Sequence, residues 1–102
     1  MEEASENFVE IPINGVLDLH TFSPKEVKFL VNDYLEECVK RKITNVRIIH
    51  GKGIGNLRRT VEAILSKSPL VVRWFPAGTD NGNWGATTAE LIKYTNNKNL
   101  QD

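Results

Sequence analysis

The sequence lacks the features typical of disulfide-bonded, zinc-binding, membrane and secreted proteins. It contains one cysteine, Cys38, so neither an intrachain disulfide nor a zinc site of several thiolates can form. No apolar run approaches the roughly 18–20 residues of a membrane-spanning helix. The acidic start MEEASENFVE does not resemble a secretory signal. These absences predict a cytoplasmic protein without a membrane partner that folds by packing alone.

The chain carries no net charge, but its charges are unevenly distributed. Its 102 residues, 40% of them hydrophobic, suit one globular domain. Residues 1–37 contain nine acidic residues and two lysines, whereas residues 38–75 contain nine basic residues and one acidic residue. The basic segment favours an anionic partner if its side chains share a face. The alternative is a set of solvated helix and strand edges.

Hydrophobic periodicity predicts two helices and four strands. Apolar residues recur along one face of residues 24–41, and Ser23, Pro24 and Glu26 form a typical helix start. Short β-branched or apolar runs between Gly, Pro and Asn indicate strands. The predicted elements are, in order, 15–20, 24–41, 45–50, 56–66, 70–75 and 85–92. This β-α-β-α-β-β order predicts an α/β fold whose first two strands are parallel and whose helices cover one face of a small sheet.

The first motif that could carry chemistry is the pair Asp18 and His20. Residues two apart on a strand point the same way, so both side chains lie opposite Leu17 and Leu19, which are expected in the core. The carboxyl end of a strand in an open α/β sheet is a frequent ligand site. Asp18 could orient His20 and raise its basicity, or both could meet a phosphate or a metal. Alternatively, the two side chains only satisfy the strand end and the following turn.

The second motif is a glycine-rich segment, residues 50–56, that joins a strand to a helix. Glycines let the backbone approach a ligand closely, and the helix start favours an anion. Basic side chains in the first helical turn oppose the helix dipole, which favours a binding role for them. The spacing fits neither a Walker loop nor a dinucleotide fingerprint. The predicted phosphate-binding residues are His50, Gly51, Lys52, Gly53, Arg58 and Arg59. Alternatively, the glycines only allow tight packing of the helix.

A third segment, residues 78–87, is a long loop that contains Trp84. An exposed indole beside a basic groove could stack on a base, although a tryptophan that covers the core is equally consistent with the sequence. If the first two strands are neighbours, their ends bring Asp18, His20, His50 and Lys52 together. These residues suit acid–base chemistry on a phosphodiester, and three of them, Asp18, His20 and His50, could also hold a divalent metal.

The ordered motifs resemble those of the Smr (small MutS-related) domain family. They are Leu-Asp-Leu-His at 17–20, His-Gly-Lys-Gly and Gly-Asn-Leu-Arg at 50–53 and 55–58, and Gly-x-x-Gly-Ala-Thr-x-x-x-Leu at 82–91. The resemblance covers about residues 12–92. It implies a two-layer α/β sandwich with a mixed four-stranded sheet and two helices on one face. Several members of the family are endonucleases that nick DNA or cleave RNA, which implies a role in cleavage for Asp18 and His20.

The residues and the resemblance together predict a stand-alone Smr domain that binds nucleic acid and cleaves phosphodiester bonds. The alternative is a module without turnover that binds branched or single-stranded nucleic acid or ribosomal RNA. The expected layout is a flexible arm at 1–11, the Smr domain at 12–93 and a flexible tail at 94–102. The choice between DNA and RNA, the oligomeric state and a requirement for Mg²⁺ or Mn²⁺ stay open. So does the effect of two departures from the family pattern: Gly-Asn-Trp-Gly at 82–85 where members often have Gly-Gly-x-Gly, and Arg-Trp-Phe-Pro at 73–76 where they often have a basic residue between two aromatic residues.

Overall fold

The computed structural model describes residues 11–51, 56–77 and 85–93. They form two helices and four strands in the predicted order. The elements are β1 (Val16–Asp18), α1 (Pro24–Lys40), β2 (Asn45–Ile49), α2 (Asn56–Lys67), β3 (Val71–Pro76) and β4 (Ala86–Leu91). Apart from Ile11, the predicted arm and tail lie outside the described residues, as do Lys52, Gly53 and Trp84.

The four strands form one mixed sheet in the order β1-β2-β4-β3. β1 and β2 are parallel, as predicted, with Asp18 opposite Ile49, whereas β4 is antiparallel to both of its neighbours. The pairing of β3 with β4 shifts between Val71 and Arg73, which places a bulge at Val72. The central position of β4 brings residues from the far end of the sequence next to β2, and therefore next to the first two motifs.

Both helices pack on one face of the sheet and form the core with it. The buried stripe of α1 includes Val27, Val31 and Leu35, and it meets Leu17 and Leu19, which are 1% and 0% exposed. The start of α1 is capped as predicted, because the Glu26 carboxylate accepts a hydrogen bond from the backbone N–H of Ser23. No helix within the described ranges is long and apolar enough to cross a membrane.

The opposite face of the sheet, which we call the open face, carries no helix. Strand alternation and the pairing register place on it Val16 and Asp18 of β1, Arg47 and Ile49 of β2, Thr88 and Glu90 of β4, and Arg73 and Phe75 of β3. Several of these side chains are exposed, including those of Val16 and Phe75. The predicted solvated side of β1 is therefore one edge of this open face.

A buried tyrosine holds the start of β1 in place. The Tyr34 hydroxyl accepts a hydrogen bond from Gly15 N–H at 3.1 Å and donates one to the carbonyl oxygen of Val16 at 3.0 Å. Gly15 has a φ of 95°, and a Cβ atom there would lie 3.2 Å from the carbonyl oxygen of Asn45, so glycine suits this position. Burial raises the pKa of the Tyr34 hydroxyl, which keeps it protonated as a donor. These contacts hold β1, and the motif at its end, in register with β2.

Candidate active site at the strand ends

Asp18 and His20 form a hydrogen-bonded pair at the exposed end of β1. Asp18 Oδ1 lies 2.6 Å from His20 Nδ1 and also accepts the backbone N–H of His20 at 3.0 Å. The side chains are 48% and 66% exposed, respectively. The structure thus confirms that both point away from the core, as the two-residue period predicted. β1 ends here, two residues earlier than predicted, because the chain turns: Leu19 N–H still bonds to β2, but the carbonyl oxygen of Leu19 accepts the N–H of Phe22 at 2.9 Å.

The geometry of this pair determines which ring nitrogen can react. The hydrogen bonds from the His20 backbone and ring lower the pKa of the Asp18 carboxyl, so Asp18 is an anion and only accepts. Nδ1 must therefore carry the hydrogen in the contact with Asp18. The other nitrogen, Nε2, contacts no hydrogen-bonding group among the described residues. It presents a lone pair to solvent when the ring is neutral and an N–H when the ring is protonated.

His50 has a different environment, although the sequence predicts the same site for both histidines. It is 6% exposed, and its Nε2 lies 2.8 Å from Oγ1 of the fully buried Thr87. Its Nδ1 lies 3.1 Å from the carbonyl oxygen of Gly51, which can only accept. In the neutral ring Nδ1 therefore donates, and Nε2 accepts the Thr87 hydroxyl hydrogen. Both ring nitrogens of His50 are engaged inside the protein.

Backbone hydrogen bonds bring the three motifs together. Leu19 N–H donates to the carbonyl oxygen of Ile49 at 2.8 Å, which joins the first motif to the end of β2. The N–H groups of His50 and Gly51 both donate to the carbonyl oxygen of Gly85, at 2.8 and 2.9 Å. Gly51 has a φ of 86°, a conformation that glycine adopts without strain. The carboxyl ends of β1 and β2 therefore meet the start of β4.

These contacts revise the expected roles of His50 and Gly51. The Gly51 amide already has a backbone acceptor and the His50 ring is fully bonded, so neither presents a free donor to a phosphate. His50 also does not join Asp18 and His20 as a third metal ligand. Within the described ranges, no group of three or more His, Cys, Asp or Glu side chains could hold a metal ion. The residues present do not fit the three-ligand site that the sequence left open.

The predicted basic residues of α2 are on the surface near its start. Arg58 Nε lies 3.8 Å from Oε2 of Glu62, and Arg59 donates to the side-chain oxygen of Asn56 at 3.2 Å. Exposed ion pairs at i and i+4 are worth only about 0.3–0.5 kcal/mol, so a phosphate could displace the Arg58 contact. Asn56 follows Gly51 by five residues, which can span at most about 18 Å. The chain therefore keeps the start of α2 within reach of the three motifs.

The fold and the arrangement of motifs agree with the comparison with known families. The model of the Smr domain matches residues 17–92. The chain therefore belongs to the Smr domain family. Its two helices and mixed four-stranded sheet are those of the solved Smr structures that it resembles.

Curated relatives of the chain include endonuclease MutS2 proteins. The protein from Thermomicrobium roseum is 33% identical over 97 residues, which cover 88% of this chain and 12% of that relative. The protein from Staphylococcus carnosus is 35% identical over 75 residues, which cover 74% of this chain and 10% of the relative. The chain thus spans about a tenth of the length of the relatives it matches, and the similarity concerns their Smr portion.

Two solved structures show the same architecture. The Smr domain of Thermus thermophilus MutS2 matches with a TM-score of 0.73 and 28% identity, over 78% of this chain and 99% of that one. YdaL from Escherichia coli, described as a stand-alone small MutS-related protein, matches with a TM-score of 0.71 and 27% identity, over 82% of this chain and 69% of that one. The predicted family and the predicted fold are both confirmed.

Sequence reasoning missed the parts played by Thr87 and Gly85. Thr87 bonds to His50 across 37 positions, and the Gly85 carbonyl receives two amide hydrogen bonds from the second motif. Both residues belong to the Gly-Ala-Thr stretch of the third motif, which the sequence indicated without a role. The sequence did contain a signal for this role: Thr87 lies at the start of a predicted strand, and a threonine hydroxyl that is buried there requires a hydrogen-bond partner.

Proposed function

We propose that this Smr domain binds nucleic acid and cleaves phosphodiester bonds at the end of β1. The observation that carries this proposal is the exposed Asp18–His20 pair, in which one ring nitrogen is held by a carboxylate and the other faces solvent. A histidine oriented in this way is suited to general acid–base catalysis. The names of the MutS2 relatives, which are endonucleases, agree with this chemistry.

In the proposed reaction, His20 acts as the general base and Asp18 as the group that positions it. Nε2 takes the proton of the attacking oxygen, which belongs to water or, in RNA, to the adjacent 2′-hydroxyl. That oxygen bonds to phosphorus, the bond to the leaving oxygen breaks, and the leaving oxygen takes up a proton from solvent, which reaches this exposed strand end. Asp18 stabilises the imidazolium that forms, because its lowered pKa keeps it anionic next to the ring.

Basic side chains at the start of α2 hold the substrate in this proposal. Arg58 and Arg59 supply exposed positive charge, and Lys52 and Gly53 of the second motif, together with Trp84 of the third, remain candidates for contact with the strand. His50 and Gly51 act indirectly, since their hydrogen bonds to Thr87 and Gly85 fix the start of the glycine-rich segment. Oriented donors beside the reacting phosphate then stabilise its developing negative charge.

The test compares the parent protein with His20→Ala on plasmid DNA and on structured RNA, each with and without EDTA. The control is Asp33→Ala, which removes an exposed side chain from α1. We expect His20→Ala to lower the cleavage rate by about 10²–10⁴-fold and to change affinity little, the usual effect of losing one acid–base group. Asp33→Ala should retain both activities.

Three other results would be informative. Equal cleavage by the parent and His20→Ala, with the fold intact, would remove the general-base role. Binding by all three proteins without cleavage would favour the module without turnover. Loss of the parent's cleavage in EDTA would show that a metal ion takes part, which no step above requires.

A further inference from the structure

We propose that Arg73 and Phe75 form a stacking platform on the open face that receives an unpaired base of a single-stranded nucleic acid. This inference rests on the nucleic-acid binding proposed above and specifies its substrate class. The two residues belong to β3, at the opposite edge of the sheet from Asp18 and His20. They belong to none of the three motifs discussed above.

The Arg73 guanidinium is held in a fixed position by two neighbours. Its Nε and one terminal nitrogen donate to the two carboxylate oxygens of Glu90, at 2.8 and 3.0 Å. Its central carbon lies 5.7 Å from the centroid of the Phe75 ring, within the range of a cation–π contact. The fork of donors is thus directed at Glu90, while 66% of the Arg73 side chain stays exposed. A planar group fixed in this way can stack on a base at little cost in side-chain entropy.

The charges of this pair favour a base over a phosphate as the ligand. Glu90 compensates the positive charge of Arg73, and the contact lowers the pKa of the Glu90 carboxyl, so the pair persists as ions. Phe75 is 37% exposed and offers no charge. Aromatic rings and arginine planes are the groups on which proteins stack the bases of single strands. A paired base inside a duplex does not present its face in this way.

The platform shares one continuous surface with the proposed catalytic pair. Phe75 pairs with Thr88, Thr88 with Arg47, and Arg47 with Val16, so a single row of open-face residues crosses all four strands. Asp18 lies in the next row on the same face. Three strand spacings of about 4.8 Å place β3 about 14 Å from β1. An extended strand that crosses the sheet can therefore place one base on the platform and a phosphate near His20.

The experiment measures the affinity of fluorescently labelled oligonucleotides by anisotropy. The probes are a single strand of about 10 nucleotides, within the usual footprint of small single-strand-binding folds, and a duplex of the same sequence. Phe75→Leu keeps an apolar side chain of similar size without the ring, and Arg73→Lys keeps the charge without the plane. The control is Phe29→Leu, which removes a ring that is 74% exposed on α1, in the helical layer. Melting curves verify that each variant is folded.

We expect Phe75→Leu and Arg73→Lys to weaken single-strand binding by roughly 5- to 100-fold, the effect of losing one stacked base. Phe29→Leu should bind like the parent. Neither platform variant removes a positive charge, so the slope of log affinity against log salt should not change. Binding of the duplex should be weaker than that of the single strand, and less sensitive to both changes.

The failures of the two proposals can be distinguished. If the parent binds no nucleic acid, the proposed function fails and the platform fails with it. If the parent binds the single strand, and Phe75→Leu and Arg73→Lys bind it as tightly, the platform is refuted and the proposed function stands. If Phe75→Leu instead abolishes self-association in sedimentation and leaves affinity unchanged, the open face is an interface between copies, which also refutes the platform.

Discussion

Replacing Thr87 with valine tests whether the buried contact with His50 supports the arrangement of motifs. Valine keeps the volume and branching of threonine but cannot donate to His50 Nε2, so a buried acceptor would lose its partner. Leaving such a group unsatisfied costs about 1–3 kcal/mol. Thr87 is 0% exposed and His50 6%, so solvent does not readily replace the lost bond. We therefore expect Thr87→Val to lower the free energy of unfolding by about 1–3 kcal/mol.

The measurement is urea unfolding followed by circular dichroism, with thermal melting as a second readout. For a domain of this size, 1 kcal/mol corresponds to a shift in Tm of about 4–8 °C. Thr88→Val is the matched control, because it makes the same chemical change at the next residue, on the open face, and should stay within about 0.5 kcal/mol of the parent. Thr87→Ser should retain most of the hydrogen bond. If Thr87→Val is as stable as Thr88→Val, the hydrogen bond between Thr87 and His50 does not stabilise the fold, and the reasoning is wrong.

Four further predictions follow from other parts of the molecule. Leu19→Ala should lower the free energy of unfolding in urea by about 2–5 kcal/mol because it empties a core site. The neighbouring change His20→Ala, at an exposed side chain, should lower it by less than about 1 kcal/mol. Equal losses would contradict the assignment of the two faces of β1. Burial raises the pKa of the Cys38 thiol to about 11, so a thiol reagent at pH 8 should label the native protein slowly and the urea-unfolded protein rapidly. Hydrogen bonds from His20 hold the pKa of the Asp18 carboxyl below its ordinary value of 3.8, so its stabilising effect is present above about pH 4 and is lost as pH falls through the lower folded pKa. The difference in Tm between the parent and Asp18→Asn should shrink over that range, and a constant difference would contradict the ionic contribution. If about four phosphates are neutralised, log affinity should fall with log salt at a slope near −3 to −4, and a flat dependence would exclude a phosphate groove.

The sequence predicted those features that depend on local periodicity. The two-residue period of β1 placed Leu17 and Leu19 in the core and Asp18 on the opposite face, and the structure confirms each position. The apolar stripe and capping residues of α1 likewise predicted its start, and the end was misplaced by one residue. These signals lie within a few residues of one another, so tertiary contacts were not needed to interpret them.

The role of His50 could not be predicted because it depends on how distant strands pair. The sequence placed His50 beside His20, which is correct for the backbone, but the direction of its ring is set by Thr87, 37 residues later. That contact exists only because β4 lies between β2 and β3. A histidine followed by glycines is equally consistent with a catalytic or binding role and with a structural role. Only the register of β4 shows that His50 is satisfied internally while the side chain of His20 stays exposed.

The bulge at Val72 affects how copies of the chain can meet. β3 lies at the end of the strand order, and its sequence, Val-Val-Arg-Trp-Phe-Pro, combines the β-branched and aromatic residues that promote cross-β assembly. A regular edge of this composition would offer a second molecule a continuous row of donors and acceptors. The extra residue at Val72 bends the strand and Pro76 lacks an N–H, so the row is interrupted at both ends. Removing Val72 would restore the regular edge, and with it a route to fibrous aggregation.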